Sequence, residues 1–134
     1  MRIFSESETY KRIDIHEKYG GQRQGGISTP ALYPYIFIFT GGKGEIYGYR
    51  DSWQGDLFLY TGEGQRGDMV LKGGNRAILE SNKNNEQIFL FKYKSTGFVE
   101  YMGEMECIGY RTEIGYDIDM HKRKVIIFEL KKIS

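Results

Sequence analysis

The stretch YGYRDSWQGDLFLYTGEGQRGDM, residues 47–69, sets three tyrosines, Trp53 and Asp51 around a turn, then adds a loop rich in glycine and charge. Strand side chains alternate, so an extended GEIYGYRD (44–51) puts Tyr47 and Tyr49 on one face and Ile46 and Gly48 on the other. DLFLYTG (56–62) reads as a further strand. Two readings are open from these residues alone. The aromatics are sheet core and Asp51 is a turn carboxylate bonded to nearby backbone. Alternatively, aromatic faces beside a carboxylate form a slot for a flat, polar ring.

Working outward, ETYKRIDIHEK (8–18) turns Tyr10, Ile13 and Ile15 to one side, as a short helix with Ser5 or Ser7 as its cap. YGGQRQGGISTP (19–30), with its glycines and proline, reads as a long irregular loop. YPYIFIFTGG (33–42) is a buried strand. NRAILESN (75–82) is a second short helix with Asn75 as cap. Three more strands follow: EQIFLFKYK (86–94), GFVEYMGEMECIGYR (97–111), bent or bulged at Gly103, and RKVIIFELKK (123–132). Met102, Met105, Cys107 and residues 125–128 are core. The expectation is one mainly β (α+β) domain over residues 1–134, a curved sheet or partly open barrel with one or two short helices.

Composition narrows the chemistry. The single Cys107 excludes an internal disulfide and points to a reducing cytoplasm. No apolar run approaches the ~20 residues that span a bilayer, and no signal peptide opens the chain, so no membrane partner is expected. His16 and His121 have no metal-ligand spacing to each other or to Cys107, and neither a metal nor a cofactor is expected. The chain lacks hydrolase and nuclease motifs, and its glycine-rich loops lack the spacing that places a lysine and a hydroxyl on a nucleotide. Glu104 and Glu106 share a strand face, which solvated charge explains as well as acid–base work. The chain therefore binds rather than cuts. A net charge of +1 asks any nucleic-acid binder to cluster its cations. Two groups qualify: Lys11, Arg12, Lys18 and Arg23, and residues 121–124 with Lys131 and Lys132.

YGYRDSW, then LFLYTGEGQRGDM, then GGNRAI resembles the SET and RING-associated (SRA) domain, which reads modified cytosine in DNA. The likeness is to the variant at the N-terminus of methyl-directed HNH restriction endonucleases of the McrA kind, and it extends to IHEKYGGQRQGGISTP and FVEYMGEMECIGY. The resemblance implies a PUA-like sheet that flips one base out of the duplex into a pocket. By position, Tyr49 and Tyr60 would be the plates around the base, and Asp51 the acceptor for the cytosine N4 amino group. Thr61 and Gly62 would line the remaining edge and the space beside the 5-substituent. Gln22, Arg23 and Gln24 would enter the groove and fill the gap left by the base. Trp53, Arg66, Lys72, Arg76 and Ser28 would supply pocket rim or phosphate contacts. Eukaryotic members carry a long finger loop after Y-T-G, whereas EGQRGDMVLKGG (63–74) is short, which leaves a CpG-context reading without its usual element.

Two functions follow from this reading. The first is a reader of 5-methylcytosine or 5-hydroxymethylcytosine in double-stranded DNA, the non-enzymatic targeting part of a restriction system with a nuclease domain or subunit as partner. The second is a PUA-like RNA-binding module for a modified or unpaired base.

Overall fold

The computed structural model describes residues 3–41 and 51–134. The expected strand 44–51 therefore lies outside the described residues except for Asp51, and so do Tyr47 and Tyr49. The chain runs β1 (Thr9–Lys11), α1 (Arg12–Tyr19), β2 (Ile27–Ser28), β3 (Tyr35–Thr40), β4 (Ser52–Gln54), β5 (Leu57–Thr61), α2 (Gly73–Leu79), β6 (Gln87–Ser95), β7 (Phe98–Tyr116) and β8 (Lys122–Lys132). The fold is mostly β with short helices, as the sequence implied.

The described strands form one sheet in the order β2-β3-β6-β7-β8-β5-β4, with β1 added along β7. Among the described residues only β3 and β6 pair in parallel, because the chain between them makes the β4–β5 hairpin and α2 before it returns. The sheet is strongly curled. Tyr60 on β5 donates its hydroxyl to the carbonyl of Phe39 on β3 at 3.1 Å, although β8, β7 and β6 separate those strands along the ladder. The face carrying Tyr60 is thus the inside.

Period-two alternation sorts the core onto the two faces. Ile36, Ile38, Ile88, Leu90, Phe58, Phe128 and Leu130 fill the inside. Phe37, Phe39, Phe89 and Phe91 face the other way, under α1 and the N-terminal segment. Phe4 plugs that outer layer, its ring 5.0–5.9 Å from those of Tyr10, Tyr19, Phe37, Phe89, Phe91 and Tyr101. Gly103 sits where the β6–β7 register slips between Leu90 and Phe91, at φ +132, so the bend falls where the sequence placed it. Two further slips, between Tyr93 and Ser95 and between Cys107 and Gly109, were not expected.

Several local expectations are corrected. α1 begins at Arg12 rather than residue 8, because residues 9–11 pair with β7. Its cap is Lys11, without a side-chain bond, rather than Ser5 or Ser7. Its buried stripe is Arg12, Ile15, His16 and Tyr19, while Ile13 is 53% exposed. α2 starts at Gly73 after Lys72, so Asn75 lies inside the helix rather than capping it. Among the described residues no helix is long and apolar enough to cross a membrane.

Truncating a buried aromatic costs its transfer energy plus a cavity. Phe4→Ala is expected to lower stability by about 3–5 kcal/mol, read in urea denaturation as a lower midpoint at unchanged slope.

Candidate nucleic-acid interface

The β4–β5 hairpin turns through Gly55 and Asp56, Gly55 at φ +62, and pairs Trp53 with Phe58. This delivers Asp51 to the inner mouth of the curled sheet. The Asp51 carboxylate accepts the Thr61 amide at 2.7 Å on one oxygen and the Thr40 hydroxyl at 2.6 Å on the other. Those donors come from the ends of β5 and β3, so one carboxylate bridges both flanks of the opening. A cavity of ≈ 280 Å³ lies there, lined by Thr40, Gly41, Asp51, Ser52, Trp53, Phe58, Leu90, Lys92 and Met102. Trp53 stands at its edge, 42% exposed, its ring 5.0 Å from Phe58.

Tyr60 lies deeper than the plate the resemblance implies. The residue is 2% exposed, and its hydroxyl also donates to the Gly26 carbonyl at 2.7 Å. Burial pushes its pKa well above the ordinary phenol value, and the nearby Asp51 charge pushes the same way. Tyr49, the other expected plate, lies outside the described residues. Thr61 and Gly62 follow Tyr60 at the end of β5, and the Gly62 amide donates to Ile126 at 2.8 Å. A Cβ on Gly62 would stand 2.8 Å from the Asn75 Oδ1, so this position needs its glycine.

The loop of residues 20–29 presents Gln22, Arg23 and Gln24 to solvent. Gln22 closes the loop on itself: its Oε1 accepts the Thr29 amide at 2.6 Å and its Nε2 donates to the Thr29 hydroxyl at 3.0 Å. Beneath it, buried Arg12 donates to the carbonyls of Gln22 (3.1 Å) and Gly25 (2.8 Å), to the Tyr93 hydroxyl (2.5 Å) and to His16 Nε2 (3.0 Å). Its guanidinium also stacks 3.8 Å over the Phe39 ring. His16 Nδ1 lies 2.9 Å from the Gly20 carbonyl, which can only accept, and Nε2 faces the Arg12 Nε–H, which can only donate, so these bonds fit a neutral ring with its proton on Nδ1. Burial holds the His16 pKa below 6.5, and the charges of Arg12 and Arg23 act in the same direction.

The second loop, residues 62–72, is pinned in the same manner. Buried Arg123 donates to Gly64 (2.6 Å) and Gly67 (3.2 Å), Asp68 accepts the Lys124 amide (2.7 Å), and Asn75 bonds both the Glu63 amide and its carbonyl. Asp117 accepts amides of Gly67, Asp119 and His121, which hold its carboxyl below the usual range. Ligand-type atoms of Asp117, Asp119 and His121 lie within 4.8 Å of one another, but those bonds make the cluster a turn. The remaining expected contacts scatter. Arg66 pairs with Asp119 at 3.0 Å and Arg76 with Glu80 at 3.2 Å, both at the surface, and Lys72 is exposed. Ser28, read as rim, is instead fully buried, because it lies on β2 against β3. Both expected basic clusters break up, since Arg12 and Arg123 are buried and Lys132 pairs with Glu6.

Sequence reasoning missed Thr40, Phe58 and Lys92 as cavity lining and Arg12, His16, Tyr93 and Arg123 as loop anchors. A Gly-Asp pair between apolar runs signalled the β4–β5 hairpin, and Arg12 and His16 stand one helical turn apart. The partners of Arg123 lie over fifty residues away and leave no local signal.

Two outcomes are expected from this geometry. A Cβ at Gly26 would meet the Tyr60 hydroxyl at 2.7 Å, so Gly26→Ala should cost about 1–3 kcal/mol in chemical denaturation. His16 binds its proton more weakly folded than unfolded, so its contribution is complete above 6.5 and is lost as pH falls below that value. Stability should drop with acid there, and His16→Gln should flatten that part of the profile.

The comparisons with known proteins agree with this architecture. The family model described as "ScoMcrA-like, SRA domain" matches residues 6–134. Among solved structures, the sulfur binding and SRA domains of ScoMcrA complexed with phosphorothioated DNA superpose with TM-score 0.76 at 24% identity, over 96% of this chain and 40% of that one. The Type IV phosphorothioation-dependent restriction endonuclease ScoMcrA gives 0.75 at 24% identity, over 96% of this chain and 28% of that one. The SUVH5 SRA domain with hemi-methylated CG DNA gives 0.71 at 22% identity, over 98% of this chain and 90% of that one. The chain thus spans well under half of the two ScoMcrA chains. No curated protein matches it. With a curled sheet of this topology and a family match over nearly its whole length, the chain belongs to the ScoMcrA-like SRA domain family.

Proposed function

We propose that this domain reads modified cytosine in duplex DNA, holding a flipped base in the cavity beside Asp51. The observation that carries the reading is the Asp51 carboxylate, oriented by Thr61 and Thr40 at the mouth of a ≈ 280 Å³ cavity with Trp53 at its edge. A carboxylate is only an acceptor, so it favours the cytosine N4 amino group and disfavours the thymine O4. That discrimination is needed because thymine already carries a 5-methyl group, which a methyl-sized space alone would accept. Flipping costs a few kcal/mol in lost stacking and pairing, and each aromatic stack returns about 1–3 kcal/mol. Aromatic groups at the mouth can therefore offset extraction, while the polar edge supplies selectivity.

In this reading Gln22, Arg23 and Gln24 meet the vacated base pair, where amide and guanidinium groups satisfy the orphaned edge, and 5-methylcytosine or 5-hydroxymethylcytosine is the target. The domain is the targeting part of a modification-dependent restriction system of the bacterial or archaeal cytoplasm. Cleavage belongs to a nuclease domain or subunit outside residues 1–134. In this reading the domain's own chemistry is binding.

Fluorescence polarisation on one duplex sequence tests this, comparing unmodified, 5-methyl, 5-hydroxymethyl and phosphorothioate forms with a matching RNA. A modified-cytosine duplex should bind at least about tenfold more tightly than the unmodified one, and Asp51→Asn should remove most of that margin, since a bond to a charged acceptor is worth about 1.5–3 kcal/mol. Equal affinity for every DNA form sinks the proposal. Preference for the phosphorothioate alone moves recognition from the base to the backbone, and preference for RNA selects the other module.

A further inference from the structure

We propose that Arg12 is a positioning residue for DNA recognition: it holds the exposed turn of residues 22–25 in its binding conformation and never touches the DNA itself. The inference rests on the reading of modified DNA above. Its basis is the bonding of a single buried side chain. Arg12 is 6% exposed, yet it joins α1, the turn, β3 and β6 through His16, the carbonyls of Gln22 and Gly25, the Phe39 ring and Tyr93. Among the described residues no carboxylate pairs with it. Burying a charge without a counter-ion is costly, and here backbone carbonyls of the turn take the place of one. The turn and the guanidinium therefore stabilise each other, and neither arrangement survives alone.

The next carbonyl along, Gly26, accepts the Tyr60 hydroxyl, and the residue after Tyr60 donates its amide to Asp51. The turn that carries Gln22, Arg23 and Gln24 is thus joined to the Asp51 cavity through consecutive residues, Gly25 and Gly26 of the loop and Tyr60 and Thr61 of β5. A lysine could not reproduce this, because a guanidinium donates from three nitrogens in a fixed plane and an ammonium from one.

The latch works only while His16 is neutral. Its Nε2 must accept from Arg12, and a protonated ring would turn a second donor on the guanidinium. The charged groups acting on His16 are Arg12 from its own helix and Arg23 from the loop, with the Phe37 and Phe39 rings packed over it. Both charges are positive, so protonation should loosen the turn. The predicted sign is unusual: acid normally tightens DNA binding by adding positive charge, whereas here it should weaken preference for the modified duplex.

The test uses the chain as it stands. Wild type, Arg12→Lys and His16→Gln are compared for affinity to modified and unmodified duplexes, for amide hydrogen exchange at residues 21–26, and for binding between about pH 7.5 and about pH 5. Arg12→Lys should keep the near-ultraviolet circular dichroism of the core, exchange faster at residues 21–26, and lose about tenfold in affinity for the modified duplex, with little change for the unmodified one. His16→Gln, whose amide can accept from Arg12 and donate to Gly20, should bind like wild type at neutral pH and lose the acid sensitivity. Faster exchange in Arg12→Lys with undiminished affinity would overturn the inference while leaving the functional reading intact. So would wild-type binding that tightens with acid as much as the His16→Gln variant. Equal wild-type affinity for all duplexes would instead remove the reading and the inference together. If Arg12→Lys fails to fold, His16→Leu, which removes the Nε2 acceptor for Arg12 together with the Nδ1 donor to Gly20, carries the same exchange and affinity readouts.

Discussion

The hydroxyl of Tyr60 is the constraint on which the rest of this structure depends. It leaves β5, crosses the inside of the sheet and meets the carbonyls of Phe39 and Gly26 on the other flank. A buried phenol hydroxyl must find an acceptor or lose about 1–3 kcal/mol, and here two carbonyls satisfy it. Sheet twist alone curls strands toward one another, but it does not decide which residues meet. This bond does, and it brings the end of β3 beside the end of β5. Thr40 and Thr61 then stand close enough for one carboxylate, Asp51, to accept from both.

Two loops flank that opening, and the same device orders each. Arg12 lies under residues 22–25 and Arg123 under residues 64–67, each buried, each bonded to two loop carbonyls. Guanidinium suits the task because its planar donors can serve several carbonyls at once and its weak hydration lowers the cost of burial. No carboxylate pairs with Arg12 among the described residues, whereas the Asp117 carboxylate meets the second loop at Gly67, the residue that Arg123 also bonds.

The sequence made the fold legible wherever the signal was local. The dense aromatic and β-branched run of residues 33–42 contains β3, and Gly103 marked the bend of β7, because alternation and glycine act over a few residues. Legibility failed where tertiary pairing overrode a local pattern. Residues 9–11 joined β7 instead of α1, and the helix then buried Arg12 and His16 in place of Ile13. Charge patterning misled for the same reason: Arg12 and Arg123 look like surface cations in sequence, and only the distant carbonyls that meet them make burial affordable. Asp51 was legible as a pocket group through the family pattern. Thr40, which orients it, was not, since an ordinary strand threonine carries no mark of its partner.

On the proposed reading of DNA, the short second loop shapes what such an opening can reach. Residues 62–72 make many bonds to their own scaffold: Asn75 ties Glu63 and Val70, Asp117 holds Gly67, and Asp68 holds Lys124. A loop with its polar groups spent internally is pre-organised, which lowers the ordering cost of binding. The same bonds shorten its reach, because groups committed to the scaffold are not available to follow a groove to neighbouring bases. The loop of residues 20–29 differs in its side chains rather than in its anchor: Arg23 and Gln24 stand exposed above a backbone held, like that of the second loop, by a buried guanidinium. Division of labour between the two follows from that contrast: the pinned loop holds the rim in shape, and the latched turn presents side chains outward. A domain built this way would draw selectivity from what enters the cavity and from the few side chains on that turn, more than from an extended footprint along the duplex.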